Sequence, residues 1–440
     1  MARDPYDREI VRLAGPAFVT LMAEPIYLLA DTAVVGHLGT PQLGGLAVAS
    51  SILLTALSLS IFLAYGTTAA VARLLGAGDT REAAHQAVQG LWLGAAVGVV
   101  FALLGAVFSR PLVGALGAEG AVAANALVYL RISLIGLPML LVTLAGTGYL
   151  RGLQNTRTPL VVALGTASLN LVLELVLIHG FGQGIGASAV STVIAQTVGG
   201  LVFVRAVVAG ARKEGASLRL HVATQRHLAR VGADLVVRTA ALRGSLLALT
   251  AVVARMGSVE LAAHQIAFEI WSLLAMALDS LAIAGQAMVG RLLGQSRPIE
   301  ARVASKRLLM VGVGGSMVTA ALVLALSSGL PALFTRDADV ARLTGFLLWW
   351  VAGLQGLAAV AFVLDGVLIG AGDQRFLARS MVLAALALAV AIAPVLPLGL
   401  GIGWVWAAFG VLMAVRAGVL LIRFRGDAWL VVGAAAASRA

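Results

Sequence analysis

The chain has 440 residues, 60% of them hydrophobic and 12% charged, with a net charge of +11 and no cysteine. An ordinary soluble domain carries about 25% charged residues, so a soluble fold could not hide this much apolar surface. The absence of cysteine excludes disulfides, thiolate metal sites and a cysteine nucleophile.

The first dozen residues, Met1 to Arg12, are polar and mixed in charge. No short apolar segment with a cleavage site follows them, so no cleaved signal peptide is expected. Beyond them the apolar residues fall in long blocks. Blocks of about 18 or more with few charges read as spanning helices. Helix formers dominate, and the period-two alternation of a membrane barrel is missing. Twelve spans are expected, at residues 10–35, 43–66, 87–108, 122–147, 159–180, 184–208, 228–254, 259–286, 307–328, 341–369, 377–398 and 401–424. The fold class is an all-α integral membrane protein.

Taken in order, the connections alternate in charge. One set carries Arg3, Arg8 and Arg12, then Arg73 and Arg81, Arg151 and Arg157, Arg212 to Arg230, Arg291 to Arg307, Arg375 and Arg379, and finally Arg423 and Arg425. The opposite set holds little beyond Arg110, Arg255, Arg336 and Arg342. This bias predicts both termini in the cytoplasm and a multi-pass protein of the cytoplasmic membrane. The same charges account for the +11 as topology signals beside anionic lipid, so no nucleic-acid partner is expected.

The sequence repeats. Val34-Val35-Gly-His-Leu-Gly39 matches Val252-Val253-Ala-Arg-Met-Gly257, and Val71-Ala-Arg73-Leu-Leu-Gly76 matches Val289-Gly-Arg291-Leu-Leu-Gly294. Leu43, Ala49 and Ile52 match Leu261, Ala267 and Ile270, and Gly152 and Arg157 match Gly370 and Arg375; every pair is 218 positions apart. A constant offset without gaps marks a duplication. Six spans per half give both halves the same orientation, as two six-helix lobes related by a pseudo-two-fold axis along the membrane normal. The expected division is an N-lobe at 1–208, a basic cytoplasmic linker at 209–230 and a C-lobe at 231–440. Such halves commonly bind substrate between them and alternate access by rocking; a plain reading is that duplication only builds a large bundle.

Ionisable residues inside spans are costly and therefore functional candidates. In the first half they include Glu24, Asp31, Arg131 and Glu174; in the second, Arg238, Arg243, Glu269, Asp279, Asp365 and Arg416. Span 1 runs outward, which puts Asp31 about five residues, or roughly 8 Å, from its outer end. Glu174 lies at a similar depth in span 5, with Asn170 one turn away on the same face. Tyr129 in span 4 and Thr192 in span 6 reach that depth from the other direction. Two carboxylates close together in low dielectric resist double ionisation. The pair could hold a proton, or a sodium ion with Asp31, Asn170, Glu174 and Thr192 as ligands. A static polar network that glues helices, with Arg131 neutralising one acid, is the other reading. Glu24, seven residues before Asp31, extends the path inward or pairs with an arginine. Pro16 and Pro25 remove backbone bonds and permit span 1 to bend. At the 218 offset Asp31 maps to Leu249, Asn170 to Leu388 and Glu174 to Ile392, so the cluster belongs to the first half only.

Gly90, Gly94 and Gly98 predict close helix packing. Gly180 to Gly186 lacks the strand-turn-helix context of a nucleotide fingerprint and reads as a tight outer turn. No P-loop, HExxH or GxSxG occurs, so no enzyme and no cofactor is expected.

Four segments carry a family resemblance: Asp31-Thr-Ala-Val-Val-Gly-His-Leu-Gly39, Arg151-Gly-Leu-Gln-Asn-Thr-Arg157, Leu261-Ala-Ala-His-Gln-Ile266 and Leu364-Asp-Gly-Val-Leu-Ile-Gly-Ala-Gly-Asp373. The chain resembles the multidrug and toxic compound extrusion (MATE) family, and its DNA-damage-inducible F-like branch in particular, over residues 10 to 424. The resemblance implies two lobes in a V shape and antiport of organic, often cationic, compounds against protons or sodium by a protein expected to be monomeric. It assigns coupling to Asp31, with Tyr129, Asn170 and Thr192 around it and Pro16 as the bend. Family members often carry aspartate where this chain has Glu174, which keeps proton chemistry and weakens the case for a sodium cage. Leu242 stands near where another branch has an acid in the second lobe. A lipid-linked precursor flippase of the same superfamily, or a non-transporting receptor or scaffold, are the alternatives.

Overall fold

A computed structural model describes residues 5–434. Twelve of its helices are long and apolar enough to span a bilayer. They are α1 (Pro5–Gly36), α2 (Thr40–Gly76), α3 (Thr80–Val107), α4 (Gly120–Gly152), α5 (Arg157–Gly180) and α6 (Ile185–Lys213) in the first half. The second half has α7 (Val222–Val253), α8 (Ser258–Gly294), α9 (Pro298–Leu326), α10 (Ala338–Gly370), α11 (Gln374–Ile392) and α12 (Ile402–Arg425). The described residues form no strand. The expected fold class therefore holds.

The duplication is written in the helix limits. The ends of α8 lie 218 positions beyond those of α2, and the ends of α10 lie 218 beyond those of α4. Gly39 and Gly257, the matched residues that precede α2 and α8, both take a left-handed backbone, with φ of 129° and 158°. Only glycine reaches these angles without a steric cost.

Most helices outrun their apolar blocks. α8 continues to Gly294, past a block that ends near residue 286, and α9 starts at Pro298, well before its block. Hydropathy reports the hydrocarbon slab, whereas the backbone continues until a turn residue stops it. α11 is the exception and ends at Ile392. Pro394 and Pro397 lie just beyond, where an interior proline would break the helix. The linker is also shorter than its basic composition suggests. α6 runs to Lys213 and α7 begins at Val222, so only 214–221 are non-helical. That segment is stitched to α3. Gln89 donates to the Arg219 carbonyl (2.8 Å) and accepts from the His221 N–H (3.0 Å). Trp92 donates to the Leu218 carbonyl at 3.1 Å.

The described chain divides into two compact units. One holds Val19–Gly232; the other holds the residues from Ala233 onward together with those up to Phe18. The division thus cuts α1 two residues after Pro16. The N-terminal part of α1 is bound within its unit by ion pairs: Glu9 accepts from Arg291 at 2.8 Å, and Asp7 accepts from Arg307 Nε and Nη2 at 2.6 and 2.7 Å.

In the Val19–Gly232 unit α4 is the central helix, packed on α2, α3 and α6. The expected glycine seam lies between α3 and α4. A Cβ on Gly94 would sit 2.8 Å from the Leu141 carbonyl oxygen, and one on Gly98 would meet the Pro138 backbone. Backbone cannot step aside as a side-chain tip can. Gly94→Val should therefore cost about 1–3 kcal/mol through overpacking. A lower thermal midpoint of the purified protein would show it, and an unchanged midpoint would contradict the seam. In the other unit α10 is central, against α8, α9 and α12. Its core holds a ring cluster: Trp271 lies 5.1 Å from Phe409, and His264 lies 5.8 Å from both Phe268 and Trp406. The His264 of the Leu261–Ile266 segment is thus a core residue.

Candidate functional site

The C-terminal portion of α1 carries Tyr27 and Asp31, one turn apart and so on one face. α4 brings Tyr129, α5 brings Asn170 and Glu174, and α6 brings Ser188, Ser191 and Thr192. All lie in the Val19–Gly232 unit. Asp31 is 2% exposed and Glu174 fully buried. Tyr129, Asn170 and Thr192 are buried beside them. The five residues expected to share a depth are brought together.

The hydrogen bonds determine what this cluster can do. Ser188 Oγ donates to Asp31 Oδ1 at 2.9 Å. Thr192 Oγ1 donates to the Ser188 carbonyl (3.0 Å) and accepts from Asn170 Nδ2 (3.0 Å). Its second lone pair faces the Tyr27 hydroxyl at 3.1 Å. A hydroxyl has one proton and two lone pairs, so Thr192 is saturated. Tyr129 lies against Asp31, Ser188 and Thr192. The Glu174 carboxyl faces Asp31 and Ser188. Among the described residues, both Glu174 oxygens and Asn170 Oδ1 are buried without a hydrogen-bond donor. Two ionised carboxylates are acceptors only, and a hydrogen bond between them exists only when one carries a proton. A second carboxylate with undonated oxygens beside Asp31 is an arrangement that can take up a positive charge.

Local structure sets this geometry. Glu174 is the penultimate residue of the regular α-helix Arg157–Leu175, and a π-helical turn, Val176–Gly180, follows. Single π turns recur at functional sites, where they re-aim side chains. The sequence reading missed Tyr27 and Ser188. Both could have been found, because each precedes a named site residue by four positions.

The other candidates lie elsewhere. Glu24 is exposed on α1, so the near-heptad spacing does not bring it into the buried cluster. Arg131 is also exposed, and its Nε donates to Ser109 Oγ at 3.3 Å. Glu269 is exposed and Asp279 half-buried. Asp365 is 4% exposed and is shared by two buried arginines, Arg238 and Arg416. Arg416 also stacks on Phe362 at 4.9 Å. This second-half acid has two tethered cations, whereas the first-half acid has another acid. Leu242 packs on the core of its unit.

Pro16 and Pro25 both fall inside the continuous helix Pro5–Gly36. The structure thus combines two six-helix halves with one buried acidic pair, which defines a duplicated, twelve-span membrane protein whose halves differ in chemistry. The MatE family model matches this chain twice, at residues 16–176 and 235–395. Protein DETOXIFICATION 44, chloroplastic, of Arabidopsis thaliana is 31% identical over 388 residues, 85% of this chain and 74% of that protein. DNA damage-inducible protein F of Escherichia coli (strain K12) is 29% identical over 387 residues, 86% of this chain and 84% of that one. A solved structure of MATE in the bent conformation superposes with a TM-score of 0.87 at 20% identity, over 96% of this chain and 95% of that chain. The chain belongs to the MATE family of membrane transporters, as the four sequence segments implied.

Proposed function

We propose that this transporter is a proton-coupled antiporter that exports organic, often cationic, compounds by alternating access. The observation that carries this reading is the pairing of Asp31 with Glu174, both of whose own carboxylate oxygens lack a donor among the described residues. External protons load the pair and cancel its charge. Loss of that charge changes what the outer part of α1 prefers to contact, and α1 flexes at Pro16, next to the division between units. Substrate is then released outward, and the protons leave to the cytoplasm. In this reading the protein is a monomer of the cytoplasmic membrane with both termini inside. It needs no cofactor and makes or breaks no covalent bond in its cargo. A buried acidic pair also argues against a lipid-linked precursor flippase, whose anionic cargo would favour a basic cavity.

Sodium is the competing ion, because Asn170 Oδ1 is also orphaned and could join Asp31 and Glu174. Thr192 is less suited, since both its lone pairs are in use. Reconstituted liposomes separate the two ions. A fluorescent lipophilic cation should move when a pH gradient is imposed and ignore a sodium gradient at constant pH. Transport driven by sodium alone would overturn proton coupling. Transport driven by neither, with dye still exchanging, would overturn antiport.

A further inference from the structure

A cavity of about 370 Å³ opens on the Ala233-onward unit between α7 and α11, lined by Asp234, Val237, Arg375, Ala378, Arg379 and Val382. It is remote in sequence from the acidic cluster and shares no residue with it. Its size is that of a small-molecule site. Arg375 and Arg379 are one helical turn apart in the first two turns of α11 and are both exposed. Neither makes an ion pair among the described residues, and nor does Asp234. Other arginines of this unit are paired: Arg423 with Asp373 at 2.7 Å, and Arg238 and Arg416 with Asp365.

The face continues along the helix. Positions 375, 379, 382, 386 and 390 follow the spacing of one helical face. The first two are arginines and the last three are aliphatic, with Leu386 60% and Val390 77% exposed. This face runs from two guanidiniums into the apolar block that crosses the bilayer, as the headgroup and tail of a lipid do. Basic pockets between spanning helices at the membrane edge suit anionic headgroups.

From this geometry we infer that the α7–α11 cavity is a binding site for an anionic glycerophospholipid of the phosphatidylglycerol type. Its phosphate lies between Arg375 and Arg379, where a guanidinium can offer two parallel N–H donors. A headgroup hydroxyl donates to Asp234, and an acyl chain follows Val237, Val382 and Leu386. Two arginines and one carboxylate leave the site one positive charge, which a singly anionic lipid cancels and a zwitterionic lipid does not. The inference does not depend on the coupling ion or on transport.

Native mass spectrometry of the detergent-purified full chain tests it, with dioleoyl phosphatidylglycerol, dioleoyl phosphatidylethanolamine and free glycerol phosphate as probes. The protein should retain one phosphatidylglycerol in preference to phosphatidylethanolamine. R375Q/R379Q should bind it on the order of 30-fold more weakly. Val382→Trp should also lose the lipid although both arginines remain, because it fills the groove. Equal retention of phosphatidylethanolamine, or full binding by R375Q/R379Q, would overturn the site. Full binding by Val382→Trp would reduce it to diffuse surface charge. Displacement by glycerol phosphate as effective as by the lipid would make it a phosphate site and not a lipid site. Dye transport measured on the same samples reports separately on the coupling proposal.

Discussion

Asp31→Asn is expected to abolish gradient-driven efflux and to leave the protein folded. The substitution is nearly isosteric. The amide oxygen can still accept the 2.9 Å hydrogen bond from Ser188 Oγ. What is lost is the titratable oxygen that faces Glu174 in a buried site. The pair can then no longer bind and release a proton between two ionised partners, so the imposed gradient has nothing to act on. Stability should hold or rise, because a buried carboxylate beside another carboxylate is costly and the amide removes that repulsion. Two measurements on one preparation decide the matter. The thermal midpoint should be at or above that of the unmodified protein, and dye flux driven by a pH gradient should fall to the level of protein-free vesicles. Unimpaired flux would remove Asp31 from the mechanism. Loss of flux together with a collapsed midpoint would make it a structural residue. Glu174→Gln tests the partner in the same way, and its flux should fall as well.

Asp365→Ala is expected to behave in the opposite manner, with a large loss of stability. The carboxylate is 4% exposed and accepts from both Arg238 and Arg416. Removing it takes away the carboxylate that these two buried guanidiniums share. Breaking a buried ion pair from one side costs about 3–5 kcal/mol. That is a large fraction of the stability of a typical fold. Arg416→Met should cost less, since Arg238 still holds Asp365. Replacing all three with apolar residues of similar volume should recover most of the loss, because none of the charges is then stranded. Thermal unfolding of the four proteins in one detergent gives the order. If Asp365→Ala melted like the unmodified protein but lost transport, the acid would be a functional group and the arginines incidental. The contrast with Asp31 rests on the neighbours. An acid between two fixed cations has no reason to trade its charge, and an acid beside another acid does.

The amino-acid sequence by itself determined the membrane class, the twelve spans and the duplication. These depend on properties summed over many residues, such as hydrophobicity over about 20 positions, which a single misjudged residue cannot reverse. It also determined that the acidic cluster belongs to the first half only, because Leu249, Leu388 and Ile392 cannot ionise wherever they are placed. Depth counted along helices was enough to gather Asp31, Tyr129, Asn170, Glu174 and Thr192, since a helix converts sequence position into height at a fixed rise.

Rotation about the helix axes and partner choice were decided only by the tertiary structure. Glu24 and Asp31 are seven residues apart, and seven positions at 3.6 per turn leave a drift of roughly 20°. On a helix the two packing units share, a small drift and the choice of neighbour separate an exposed acid from a buried one. Asp365 looked equivalent to the other intramembrane acids until two arginines, 127 and 51 positions away, were found against it. Such pairings join residues from three helices, and their registers are set by side-chain packing, which local sequence does not encode. The same holds for Arg375 and Arg379: their spacing on one face was legible from the start, but the cavity they line exists only because α7 stands beside α11.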